Sequence, residues 1–271
     1  MSAEIDYVLG THDEEIERLG LQHRVWQPLM LDAWTRAGMT RGSRIVDFGA
    51  GPGYASLDAA DIVGAQGEVT AIERSQHFLS FARRQAERRE ISWVRFLQAD
   101  LDVDELVLSG FDIAWCRWVA SFVASPERLL NRISAALRLG GKAVLHEYQN
   151  YSTWQVIPQS EKIAQFVQEV MASWRAAGGE PNIVNDLIPL MAPAGLRVTG
   201  LRPLIATIGP SHFTWQWPAS FVAGGAQRLA KLGRISLQCA EEIQNEFRAL
   251  EQNAGAVMIT PLVVEIIAEK L

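Results

Sequence analysis

Cysteine is scarce here: the 271 residues hold only Cys116 and Cys239, in no CxxC or metal-ligand spacing. That excludes a small disulfide-stapled scaffold and fits a reducing compartment, with both thiols expected buried. An excess of positive charge is also missing, since 25 Lys and Arg face 31 Asp and Glu for a formal net charge of -6. Nucleic-acid phosphates and anionic membrane surfaces call for basic patches, so neither is an expected partner. The basic-looking run Arg83 to Glu90 interleaves acids at helical spacing and reads as a solvated helix face. The five histidines make no HxxxH pair, so no metal site is expected. No run reaches the roughly 18 apolar residues of a membrane span, and no basic-then-apolar segment opens the chain. The expected location is therefore cytoplasmic, where the acceptor-like Asn150-Tyr151-Ser152 has no consequence for glycosylation. Internal repeats, low-complexity tracts and long linkers are absent as well.

What is present is a 48% hydrophobic chain of a length that suits one large domain, or a core domain carrying a cap. Glu14 to Ala37 reads as one or two amphipathic helices, with Ile16, Leu19, Val25, Leu29 and Leu31 on an interrupted apolar face. Strands are expected at Ser43 to Phe48, Glu68 to Ile72, Ile91 to Leu97, Phe111 to Trp115 and Lys142 to Glu147, the last preceded by a sharp stop at Leu139-Gly140-Gly141. Helices between them, at Ser56 to Val63, Gln76 to Arg89 and Pro126 to Leu137, imply right-handed crossovers and a parallel sheet covered on both faces. After Tyr148 the rhythm changes. Helices are expected over Trp154 to Ala177, Val184 to Met191, Phe221 to Leu232 and Ser236 to Gln252, with strands at Leu196 to Leu201 and Leu262 to Ala268.

The first strand runs into Val46-Asp47-Phe48-Gly49-Ala50-Gly51-Pro52-Gly53-Tyr54. In open parallel sheets ligands sit outside the carboxyl ends of the strands where strand order reverses, and this turn occupies that place. Gly49 and Gly51 let main chain approach a ligand without a Cβ in the way, and the next helix start favours a negative group. A dinucleotide fingerprint wants a glycine where Tyr54 stands, so the G-x-G-x-x-G pattern fails. Glu73 ends the second strand, where an acid accepts hydrogen bonds from ribose hydroxyls. Asp100-Leu101 follows the third, where a carboxylate and a backbone amide can meet an adenine edge.

With these residues in place, "VDFGAGPGY", "AIERS", "QADL" and "LRLGGKAVLHEY" resemble the ordered motifs of class I S-adenosylmethionine-dependent methyltransferases, over about Ser43 to Tyr148. The resemblance implies a Rossmann-like α/β fold: a doubly wound seven-stranded sheet, mostly parallel with an antiparallel last strand, carrying helical cap insertions. It also implies a single domain comprising an N-terminal helical segment (1–40), a cofactor core (41–150) and substrate-cap insertions at 151–185 and 205–252. The cofactor implied is S-adenosyl-L-methionine. Asp47, Gly49, Ala50 and Gly51 would hold its methionine and sugar part, Glu73 and Arg74 the ribose, Asp100 and Leu101 the adenine, while Arg117 would line the methionine end. Tyr7 and Gln22 match the amino-terminal segment of a bacterial small-molecule subgroup, in which a helix folds over the cofactor.

A sulfonium methyl is already electrophilic, so transfer needs mainly an oriented nucleophile and a water-poor chamber. His146 is the candidate base because imidazole titrates near neutrality. Glu147 and Tyr148 share its location. Trp118, Tyr151, Trp154 and Trp215 are candidate walls for an apolar acceptor. Cys116-Arg117-Trp118 stands where nucleic-acid amino-methyltransferases carry an Asn/Asp-Pro-Pro-aromatic run, which argues against base methylation. The expected activity is methyl transfer to a small-molecule oxygen, nitrogen or carbon atom, by a monomer or a homodimer. The rivals are an NAD(P)-dependent oxidoreductase, which Tyr54 and Asp100-Leu101 oppose, and a protein that binds the cofactor without transferring methyl.

Overall fold

The structure, a computed structural model, describes residues 12–271. Its elements are α1 (Asp13–Arg36), β1 (Arg44–Phe48), α2 (Tyr54–Val63), β2 (Glu68–Glu73), α3 (Gln76–Arg88), β3 (Val94–Gln98), β4 (Phe111–Arg117), α4 (Pro126–Ala136) and β5 (Leu137–Asn150). There follow β6 (Gln155–Ile157), α5 (Glu161–Ala176), α6 (Val184–Met191), β7 (Leu196–Leu204), β8 (Thr207–Ile208), α7 (Gln216–Lys231), α8 (Leu237–Gln252), β9 (Val257–Ile259) and β10 (Leu262–Lys270). The chain divides into two compact units, one built on residues 26–149, 182–203 and 264–271, the other on the segments up to 25, 150–181 and 204–263.

The larger unit is built on a seven-stranded sheet in the order β3-β2-β1-β4-β5-β10-β7. The pairs β1–β2, β1–β4, β2–β3 and β4–β5 are parallel, and the last strand runs antiparallel, as the motifs imply. Strand order therefore reverses between β1 and β4, which is where a ligand cleft is expected. Both faces of the sheet are buried, because successive side chains on each strand point to opposite sides. Ile45, Val69, Ile113 and Val144 pack with Met30, Ala33 and Trp34 of α1 and with α2. Val46, Phe48, Cys116 and Leu145 pack on the other side with Leu129, Leu130 and Ile133 of α4 and Leu187 of α6.

Strand β5 starts five residues before its expected beginning and passes through Gly140-Gly141 instead of stopping there. It does so with a shift of register opposite Phe111 and Ile113, and at Gly141 a Cβ would stand 3.0 Å from the Phe111 carbonyl. Cys116, fully buried in β4, carries a thiol that burial pushes well above its ordinary range.

The smaller unit packs α5, α7 and α8 on one another beside a three-stranded sheet, β6-β9-β8. The expected helix from Trp154 instead begins at Glu161, after β6, because Pro158 offers no N–H and Ser160 caps the start by accepting the amide of Ile163. Conversely α7 begins five residues earlier than expected, with Pro218 inside its first turn, where proline is tolerated. At Gly225 of α7 a Cβ would come within 3.1 Å of the Phe166 ring of α5, so this glycine sets how closely the two helices approach. Cys239, on α8, is partly exposed. Most of both stretches expected as cap insertions falls in this unit.

Candidate functional site

Register brings the carboxyl ends of β1, β2, β3 and β4 into line with one another and with His146 of β5: Phe48 pairs with Ile72 and with Cys116, Glu73 with Gln98, and Arg117 with His146. The glycine turn leaves β1 at this level. Its three glycines all have positive φ, 73° at Gly49, 55° at Gly51 and 81° at Gly53, for three different reasons. A Cβ on Gly49 would stand 2.3 Å from Val119 Cγ2, and one on Gly53 would stand 2.7 Å from Ala82 of α3. Beside Gly51, among the described residues and leaving out its chain neighbours, no atom lies within 4 Å of that position, unlike Gly49 and Gly53. The turn's amides are already organised, since Gly49 and Ala50 donate to the Ile72 carbonyl at 3.0 and 2.8 Å. Gly51 donates to Glu73 Oε2 at 2.9 Å.

Glu73 is thus fixed by two backbone amides, with Ser75 donating to Oε1 at 2.9 Å. Burial raises its pKa against the pull of those amides. Each carboxylate oxygen keeps acceptor capacity beyond the one bond it makes, which suits a diol arriving from the open side. Helix α2, which follows the turn, has no side-chain cap, whereas α3, α4, α5 and α8 are capped by Ser75, Ser125, Ser160 and Ser236.

Asp47 is buried on the α1 side of the sheet and accepts the Ser56 hydroxyl at 2.6 Å. Burial pushes its pKa up to about 6, opposed by Ser56 and by the positive charge of Arg117. Arg117 lies between two indoles, 5.7 Å from the Trp115 ring and 5.2 Å from Trp118. Burial lowers its pKa to about 10, and Asp47 acts against that. Asp100 holds its own loop, accepting the Asp102 amide at 2.8 Å, while Leu101 packs on the α4 side of the core. Arg74 is exposed, and its carbonyl accepts from Gln98 at 3.2 Å.

His146 is fully buried, T-shaped against Trp115 at 4.9 Å, with Nε2 3.3 Å from Oε2 of Glu265 and Nδ1 without a hydrogen-bond partner among the described residues. Burial lowers its pKa in spite of Glu265. Glu265 on β10, 1% exposed, also receives Arg36 at 2.5 Å and Arg202 at 3.0 Å, and both arginines reach Asp32. Burial alone would raise the Glu265 pKa, but hydrogen bonds from His146 and Arg36 and the charge of Arg202 hold it down to about 2. Sequence reading missed this network. Its signal was Glu265 itself, an acid in the apolar run Val263-Val264-Glu265-Ile266-Ile267 that needed partners.

Trp118 is buried with φ 53°, donates its amide to the His146 carbonyl at 3.0 Å and stacks on Tyr148 at 5.6 Å. The other proposed acceptor walls belong to the smaller unit. Tyr151 packs on Trp174, Trp154 on Phe166 and Phe221, and Trp215 on Phe247, and all three are at most 3% exposed. Gln22 of that unit accepts from Arg18 at 3.0 Å and from the Trp217 indole at 3.2 Å. Tyr7 lies outside the described residues. Among the described residues there is no cluster suited to a metal ion and no helix long and apolar enough to cross a membrane.

Comparisons with known proteins bear on this site. Residues 39–188 match a family model described as a methyltransferase domain. The ubiquinone/menaquinone biosynthesis C-methyltransferase UbiE of Azotobacter vinelandii is 28% identical over 131 residues, 48% of this chain and 51% of that protein. The 2-phytyl-1,4-naphtoquinone methyltransferase of Trichormus variabilis is 26% identical over 175 residues, 58% of this chain and 74% of the relative. The chain spans about half the length of the first of these relatives. Among solved structures, geranyl diphosphate C-methyltransferase from Streptomyces coelicolor A3(2), in complex with S-adenosyl-L-homocysteine, shares the fold with a TM-score of 0.61 at 15% identity, covering 92% of this chain and 77% of that one. The [4+2]-cyclase SpnF shares it too, with a TM-score of 0.56 at 17% identity, covering 90% and 80%. The matched family model covers more than half of the sequence and the strand order agrees with the motifs: the chain belongs to the methyltransferase-domain family, of the class I S-adenosylmethionine-dependent type.

Proposed function

We propose that this chain binds S-adenosyl-L-methionine at the β1–β2–β3 loop ends and transfers its methyl group to a small-molecule acceptor. The observation that carries the reading is the Gly51–Glu73 contact of 2.9 Å: an acid suited to a diol, fixed beside Gly51, where no described residue beyond its chain neighbours comes within 4 Å of a Cβ position. Asp47 and Arg117 supply opposite charges for an amino-acid moiety, and Asp100 with Leu101 meets the adenine edge. Gly49, Ala50 and Arg74 contribute backbone shape and flanking charge. The cofactor, when bound, supplies an electrophilic sulfonium methyl, and the chain's work is to orient the acceptor and exclude water.

An apolar acceptor fits best. The relatives are named for ubiquinone/menaquinone biosynthesis, 2-phytyl-1,4-naphtoquinone and geranyl diphosphate, and Trp118 and Tyr148 give the ends of β4 and β5 an aromatic wall. His146 has two competing roles. As proton acceptor it would use Nδ1; as an anchor it uses Nε2, held by Glu265. Complete burial favours the anchor, and a folded His146→Ala protein that keeps turnover within a few-fold establishes it, whereas a loss of a hundredfold or more restores the base.

Calorimetry with S-adenosylmethionine, S-adenosylhomocysteine and NADH tests the proposal. Binding of the first two and not the third supports it. The reverse order makes the protein an oxidoreductase, and binding without methyl transfer across a panel of quinone and isoprenoid acceptors makes it a binding protein.

A further inference from the structure

Glu147 follows His146 on β5 and is equally buried, but it faces the opposite side of the sheet. Its Oε1 accepts the amides of Val119 at 2.8 Å and Ala120 at 2.9 Å, and its Oε2 accepts the Ser121 hydroxyl at 3.1 Å. These three consecutive residues lie in the irregular segment after β4, and Ala120 and Ser121 are at most 1% exposed, so without Glu147 their donors would be buried and unmet. Val119 is therefore set by a carboxylate. Val119 in turn touches the glycine turn, because its Cγ2 stands 2.3 Å from where a Cβ on Gly49 would be. From the other side the same turn is held by the Ile72 carbonyl, which takes the amides of Gly49 and Ala50.

We infer that Glu147 is a positioning residue for the cofactor turn: by gathering the donors of Val119, Ala120 and Ser121 it seats the Val119 side chain against Gly49 and so fixes the turn on its β4 side. The inference rests on the reading of that turn as the S-adenosylmethionine seat. Glu147 reaches no cofactor itself and works two contacts away. An acid is a costly choice for the task, since burial pushes its pKa up to about 7. What recommends it is acceptor capacity: one side chain meets three donors on three successive residues, which no apolar side chain can do.

The test combines hydrogen–deuterium exchange with calorimetric titration of S-adenosylhomocysteine, on the full chain and on Glu147→Ala, Glu147→Gln and Val119→Ala. Glu147→Ala should speed exchange over residues 119–121 at least tenfold and weaken binding at least tenfold. Glu147→Gln, which keeps one oxygen for the two amides and offers its NH2 to the Ser121 hydroxyl acting as acceptor, should stay within about threefold in both. Val119→Ala should leave exchange at 119–121 unchanged and still weaken binding several-fold, an effect a merely stabilising carboxylate would not produce. The inference is overturned if Glu147→Ala loosens the segment yet binds like the parent, or binds weakly with the segment still protected. Should Glu147→Ala not fold, parental affinity in Val119→Ala overturns it equally. If the parent protein fails to bind S-adenosylhomocysteine, the functional reading falls instead, and exchange at residues 49–53 decides the mechanical claim: faster in Val119→Ala supports it, unchanged refutes it.

Discussion

Glu265 and Glu147 are two buried glutamates on the same sheet, at most 1% exposed, yet one is held down to about 2 and the other pushed up to about 7. They differ in what surrounds them on the two faces. On the α1 face, Glu265 meets Arg36, Arg202 and His146, whose charges and hydrogen bonds overcome the penalty of burial. On the α4 face, Glu147 meets two amides and a hydroxyl, dipoles that satisfy its oxygens without cancelling its charge. The first arrangement makes an acid a permanent anion and a structural tie. The second leaves it near its titration point, valued for its oxygens more than for its charge.

The sharpest break of this contrast comes from neutralising each acid. Glu265→Gln should destabilise the protein by about 3 kcal/mol at neutral pH, the low end for breaking a buried ion pair because both arginines can rehydrate. Glu147→Gln should cost under about 1 kcal/mol, since the remaining oxygen still serves the two amides and the Ser121 hydroxyl can turn to accept from the new NH2. Denaturant unfolding of the two variants side by side checks the difference, and equal losses would erase the distinction between the faces. Next in size, Glu73→Ala should weaken binding of S-adenosylhomocysteine by about 1.5 to 3 kcal/mol, the scale of hydrogen bonds to a charged group. Unchanged affinity in a folded variant would remove Glu73 from the site.

A third prediction concerns pH. Asp47, Glu147 and Glu73 all have raised pKa values, so from the ordinary carboxylate range up toward about 6 the native state holds protons on these acids that the unfolded chain has released. Native His146, whose pKa is lowered, lacks one that the unfolded chain holds. The balance makes stability fall as pH rises through this window, and Asp47→Asn should flatten the slope. Ligand affinity should move the other way: if ionised Asp47 attracts the cofactor's ammonium, affinity rises with pH through about 6 and loses that step in Asp47→Asn. A small effect on stability is expected at Gly51→Ala, which costs about 1 kcal/mol for the left-handed conformation and meets no clash among the described residues. Its stability loss should be minor beside its loss of ligand affinity, as paired melting and titration would show.

The sheet unit was largely legible in the sequence because parallel strands buried on both faces write themselves as apolar runs closed by glycines, as from Arg44 to Gly53. The first three loop ends could be read for the same reason: Asp47, Glu73 and Asp100 stand directly after apolar runs. The three-stranded sheet was not legible, since β6, β8 and β9 have only 3, 2 and 3 residues and their pairing is set by partners far along the chain. Tyr151, Trp154 and Trp215 were visible as aromatics, but composition does not tell a helix-packing ring from a chamber wall. The roles of Glu147 and Glu265 escaped for another reason: alternation assigns adjacent residues to opposite faces, while the partners waiting there come from other strands and from α1.

The two cysteines divide the labelling chemistry of the molecule. Cys239 is partly exposed on α8 with its Sγ 3.6 Å from Gln165 Oε1, so it is the thiol expected to take a maleimide first in the native protein. Cys116, sealed in the middle of β4 and kept as a thiol, should react only when the strands part, which turns its alkylation rate into a clock for opening of the larger unit.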